Sequence, residues 1–82
     1  MQIMIKTFAQ TRELSQVPEL ALSMPQGSTI AEVKTHLRSL NEKWSLALEG
    51  SILTARNHQL CDEKETLQEN DEIAFFPPVT GG

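Results

Sequence analysis

Residues 28–41 read STIAEVKTHLRSLN, and this stretch decides the fold because it marks one amphipathic helix with both ends signposted. Thr29 and Glu32 have the spacing of a capping box, in which each side chain satisfies a backbone N–H left free by the first helical turn. Ile30, Val33, Leu37 and Leu40 follow at the three-and-four spacing that lines one helical face. Lys34 and Arg38 fall between them on the outer side, and Asn41 is the expected stop. His36, three residues after Val33, belongs to the surface or the boundary of such a helix.

Working outward, QIMIKTF (2–8) places Ile3 and Ile5 on one face at period two and reads as a first strand. The polar run AQTRELSQVP (9–18) connects it to a second strand over 19–24, where Leu20, Leu22 and Met24 alternate. These two strands pair most simply as a hairpin, ended by Pro25, Gln26 and Gly27. Beyond the helix, Trp44, Leu46 and Leu48 predict a short extended segment seated on the core. Ile52 to Arg56 and Gln59 to Leu60 read as short strands around the turn-prone Asn57–His58. Leu67 is the one anchor in the polar stretch 62–69. EIAFF (72–76) is the final strand, with Ile73 and Phe75 pointing one way and Ala74 and Phe76 the other. Pro77 and Pro78 end it, since neither can donate to a ladder. One main helix packed on one face of a mixed sheet is an α+β design, and this order of elements fits the β-grasp, the ubiquitin-like fold. The expected division is a β-grasp domain over 1–76 and an extended, flexible C-terminal tail over 77–82.

Composition narrows the function. Eighty-two residues make one domain with a small core, which favours a binding or carrier module over an enzyme enclosing its own substrate and cofactor. The net charge of -4 argues against nucleic acid, where a basic face is the usual footprint, and against anionic membrane surfaces. No apolar run has the length of a membrane span or a signal-peptide core. A single cysteine, Cys61, permits no internal disulfide, so a reducing, cytoplasmic setting is expected. Asp62 and Glu63 beside it should raise its thiol pKa, which suits a structural thiol rather than a nucleophile. His36 and His58 have no partner ligands at zinc spacing, so no metal site is expected. Ser15, Ser28 and Ser51 lack a nucleophile motif, and the four glycines form no phosphate loop. The charge run DEKE (62–65) reads as a solvated face.

The end of the chain carries more. A sheet covered on one face has one core, so one of Phe75 and Phe76 should be partly exposed. Phe8 joins Phe76, lying opposite Ile3 and Ile5 in the first strand, and an exposed aromatic patch marks a partner site. Pro77 and Pro78 keep the backbone extended as it leaves the sheet. Gly81 and Gly82 add no side chains, so the segment can thread a narrow channel. The one functional group it delivers is the Gly82 carboxylate, a poor electrophile until a partner enzyme adenylates it with ATP. Sulfur could then displace AMP to leave a thiocarboxylate, or an amine could displace it to leave an amide.

FAQTREL (8–14), KWSLALEG (43–50), LTARNHQL (53–60) and above all NDEIAFFPPVTGG (70–82) resemble, end to end, the small subunit of molybdopterin synthase, a family of ubiquitin-like sulfur carriers. The thiamin-pathway sulfur carriers share the fold and the diglycine but usually lack the FFPPV run. The resemblance implies that Gly82, preceded by Gly81, is adenylated by a ubiquitin-activating-type adenylyltransferase and then thiocarboxylated. It implies insertion of the tail into the large synthase subunit, which holds the catalytic residues, within a heterotetramer of two large and two small subunits. Two successive carriers then convert cyclic pyranopterin monophosphate to the molybdopterin dithiolene. The chain would bind no cofactor itself, ATP being used by the activating enzyme. The family's contact surface maps onto Phe8, Leu60 and Phe76, with Arg12 as the nearby basic contact, and onto the tail residues Pro77, Pro78, Val79 and Thr80. The alternatives that the same chemistry permits are a ubiquitin-like modifier joined through Gly82 to lysines of other proteins, and a thiamin-pathway sulfur carrier.

Overall fold

The chain runs β1 (Gln2–Thr7), α1 (Ala9–Ser15), β2 (Glu19–Ser23), α2 (Ile30–Leu40), α3 (Glu42–Ala47), β3 (Leu53–Arg56), β4 (Gln59–Cys61) and β5 (Glu72–Phe76) in a computed structural model that describes residues 1–78. The strands form one mixed sheet in the order β2-β1-β5-β3-β4. Parallel β1 and β5 lie at its centre, with Ile5 opposite Ile73 and Thr7 opposite Phe75. β2 pairs antiparallel with β1, and β3 pairs antiparallel with both β5 and β4. This is the β-grasp arrangement.

Strand alternation sends Ile3, Ile5, Ile73 and Phe75 to one face, where they pack with Ile30, Val33 and Leu37 of α2, Trp44, Leu48 and Leu67. The capping box of α2 forms as the spacing requires: Glu32 N–H donates to Thr29 Oγ1 at 3.3 Å, and Thr29 N–H donates to Glu32 Oε1 at 3.2 Å. The two remaining donors of that turn are met from outside, Ile30 N–H by the Glu65 carbonyl at 3.1 Å and Ala31 N–H by the Glu63 carbonyl at 3.0 Å. No donor of the helix start is left open, so the loop after β4 and the helix hold each other in place.

Four expectations are corrected. The run 9–15, read as a connection, is helix α1. Its buried positions are Thr11 and Ser15, one turn apart but polar, so no apolar period announces the helix. The segment 42–47, read as extended, is helix α3, with Asn41 Oδ1 accepting from Trp44 N–H at 2.9 Å. Its buried set is Trp44, Ala47 and Leu48, a helical spacing, while Leu46 faces out. Leu40 lies 47% exposed, because an advance of about 100° per residue carries it to the margin of the α2 stripe. The DEKE run is only partly solvated: Glu63 pairs with Lys34, and Glu65 pairs with Arg56.

The β3–β4 turn has Asn57 at φ 49 and His58 at φ 71, the double left-handed geometry of a two-residue hairpin loop. Behind it sits a buried polar knot. Asp71 accepts from Gln68 N–H at 2.8 Å, Arg56 Nε at 2.7 Å and Asn57 Nδ2 at 2.9 Å. These bonds tie the β3–β4 hairpin to the start of β5, the strand that leads to the tail.

Candidate functional site

The core packs the helices against one face of the sheet, and among the described residues no helix covers the other. Register fixes what that bare face shows. Leu53 stands opposite Phe76, and Ala55 stands opposite both Ala74 and Leu60. Phe8 follows Thr7, and its N–H donates to the Phe75 carbonyl at 3.2 Å, which continues the parallel ladder and sets its ring beside Phe76. Phe8, Phe76 and Leu53 thus form one apolar row across three strands, with Ala74, Ala55 and Leu60 in the row behind. Leu60 is 70% and Phe8 48% exposed, whereas Phe75, one residue from Phe76, is fully buried.

The structure brings together Phe8, Leu60 and Phe76, three of the residues expected to bind a partner. Leu53 completes the patch and is missing from the sequence-based set. Period-two alternation through Leu53 and Ala55 was the signal available for it. Arg12 is exposed on α1, one helical turn after Phe8, and makes no ion pair among the described residues. Lys6, on the same sheet face, is instead bound to Glu72 at 2.8 Å. That hydrogen bond raises the Lys6 pKa and lowers that of Glu72, so both stay charged around neutrality. Arg12 is therefore the cation beside the patch that remains available to a partner's carboxylate.

Pro77 is half-buried and Pro78 exposed, directly after the last strand residue. Val79, Thr80, Gly81 and Gly82 lie outside the described residues. Cys61 is partly buried, and burial first, then the charge of Glu65, pushes its thiol pKa up. Asp62 adds to this, and Glu65 takes the place expected of Glu63. The thiol is therefore protonated and a poor nucleophile. Among the described residues no three His, Cys, Asp or Glu side chains are grouped to hold a metal ion, and no helix is long and apolar enough to cross a membrane. What the arrangement offers is a flat apolar face beside the root of the C-terminal segment.

The ThiS family model matches residues 5–82. The molybdopterin synthase sulfur carrier subunit of Haemophilus influenzae is 47% identical over 76 residues, covering 92% of this chain and 93% of that protein. Among solved structures, SAMP1 from Haloferax volcanii superposes with a TM-score of 0.85 at 22% identity over the full length of both chains. A chain from the protein–protein complex of subunits 1 and 2 of molybdopterin-converting factor of Helicobacter pylori gives 0.75 at 22% identity, again over both full lengths. These two likenesses establish the shared fold. The match along 5–82 and the 47% identity go further: the chain belongs to the ThiS family, and stands in it with the molybdopterin synthase sulfur carrier subunits.

Proposed function

We propose that this chain is the sulfur carrier and small subunit of a molybdopterin synthase, acting through the carboxylate of Gly82. A carboxylate oxygen attacks the α-phosphate of ATP on a ubiquitin-activating-type adenylyltransferase, releasing pyrophosphate and leaving an acyl-adenylate. A sulfur nucleophile then attacks the acyl carbon and expels AMP, and the product is a thiocarboxylate. In the synthase that sulfur is transferred to cyclic pyranopterin monophosphate, and hydrolysis returns Gly82 to its carboxylate. Two carriers supply the two sulfurs of the dithiolene.

In this reading the fold presents the tail, and the chemistry takes place on partners in the cytoplasm. The large subunit holds the catalytic residues of a heterotetramer with two of each chain. ATP is a substrate of the activating enzyme, and the carrier binds no cofactor. The observation that carries the reading is the apolar row Phe8–Phe76–Leu53, with Leu60 behind it, placed where β5 gives way to Pro77. A partner seated there is positioned to receive the residues that follow. Pro77 and Pro78 restrict the backbone at the exit, and Val79, Thr80, Gly81 and Gly82 are read as the inserted segment. The test is intact mass after incubation with the activating enzyme, ATP and a sulfur donor. A species heavier by the exchange of one oxygen for sulfur is expected. Its absence under conditions that thiocarboxylate the Haemophilus influenzae relative would overturn the reading. An amide-linked form on lysines of other proteins would favour the modifier instead.

A further inference from the structure

Among the described residues three leucines are exposed without belonging to the bare sheet face, and two of them share a groove: Leu14 on α1 at 40% and Leu46 on α3 at 51%. They line one groove of about 390 Å³, whose lining also includes Ile52, Pro77 and Pro78. Among the described residues Glu49 is the one charged residue on this groove. Thr11, also in its lining, is buried, and among the described residues its Oγ1 is the one buried side-chain polar atom without a hydrogen-bond partner. A finished core rarely leaves such a group unpaired.

The groove adjoins the docking face at the root of the tail. Phe8 leads directly into α1, and Phe76 leads directly into Pro77. Apolar residues therefore stand on both sides of the tail root, Phe8 and Phe76 on the sheet side and Leu14, Leu46 and Ile52 on the helix side, with Pro77 and Pro78 between them. A partner that only lies on the sheet would leave half of this collar wet, with Leu14 and Leu46 in contact with water.

We propose that the α1–α3 groove is the second half of the surface that docks the large synthase subunit. Its occupant is a non-polar side chain of that subunit, flanked by a cation that faces Glu49. The inference rests on the proposed function, because it assigns the groove to the same partner. Closure on both sides of the root excludes water from the mouth of the channel and fixes the direction in which the tail enters. Charge complementarity supplies the flanking cation, since Glu49 has no ion-pair partner among the described residues.

The test is titration calorimetry of the purified large subunit against Leu14→Glu, Leu46→Glu and Leu46→Gln, with Leu40→Glu as the control. Leu40 is as exposed as the other two but lies on α2, outside the groove. Thermal unfolding of each variant establishes that it is folded. The groove variants should bind roughly tenfold more weakly or worse, Leu46→Gln less affected than Leu46→Glu, while Leu40→Glu stays within about twofold of wild type. Groove variants that bind like wild type would overturn the proposal. So would a loss confined to adenylation by the activating enzyme, which would assign the groove to that partner. If wild type itself fails to bind the large subunit, the functional reading fails, and that outcome is distinct from the first two.

Discussion

Replacing Asp71 by Asn should destabilise the fold by about 2–3 kcal/mol, and the loss should depend on pH. The carboxylate is buried and accepts three hydrogen bonds, from Gln68 N–H, Asn57 Nδ2 and Arg56 Nε. Each is worth about 1 kcal/mol net, and removing one partner leaves the others exposed to the cost of an unpaired buried group. An amide keeps one acceptor oxygen but turns its NH2 toward donors, so it cannot replace the pattern. At about 4–8 °C per kcal/mol for a domain of this size, the melting temperature should fall by about 10–20 °C at pH 7. Burial alone would raise the Asp71 pKa, but its three donors together outweigh burial and hold it below the ordinary 3.8. The folded-state pKa is therefore the lower one. The contribution is fully present above the unfolded value and is lost as pH falls through the folded value. Circular-dichroism melts across this range should show a gap between wild type and Asp71→Asn that is constant well above the ordinary carboxylate pKa of 3.8 and narrows as pH falls below it. A gap of the same size at low pH, or none at pH 7, would mean that the Asp71 carboxylate does not hold the hairpin to β5.

Three further outcomes follow from individual residues. His58→Gly should raise stability by up to about 1 kcal/mol in thermal unfolding, because glycine takes the left-handed conformation of the β3–β4 turn without strain. The exposed His58–Glu72 pair at 3.0 Å that it removes contributes little. Thr29→Ala removes the capping oxygen of α2 and should cost about 1 kcal/mol, read from the same melts. Leu60→Asp changes a highly exposed side chain, so its stability should stay within about 0.5 kcal/mol of wild type. Its affinity for the large subunit should nevertheless fall by about tenfold or more in calorimetry. A melting point that falls with the affinity would mean that Leu60 supports the fold and not the interface.

The sequence made some parts of this molecule readable and hid others for physical reasons. The main helix was legible because Thr29, Glu32, Ile30, Val33 and Leu37 each mark it independently. The strands EIAFF and QIMIKTF were legible because alternation separates Phe75 from Phe76, and Ile3 and Ile5 from Phe8. Helix α1 was hidden because its inward face is Thr11 and Ser15, the latter satisfied by bonds to the Arg12 and Val17 carbonyls, and polar inward positions leave no hydrophobic period. Helix α3 was hidden because Trp44, Leu46 and Leu48 mimic period two, although Ala47 is the residue that packs with Trp44. Asn41 read as a stop, and it both ends α2 and caps α3. At the site, Phe8, Leu60 and Phe76 came from alternation and family resemblance, while Leu53 needed the β3–β5 register to be placed beside Phe76. The groove at the tail root depends on two helices that were not foreseen, so no reading of the sequence could assemble it.

Gly82 is proposed to carry sulfur and to give it up within the synthase. The most direct test is to mix the thiocarboxylated protein with the large subunit and cyclic pyranopterin monophosphate, and to follow intact mass and molybdopterin together. The carrier should return to its carboxylate mass as product appears, with two carriers consumed per dithiolene. Product formed equally well from the unsulfurated protein, or a carrier that keeps its sulfur while product accumulates, would contradict it.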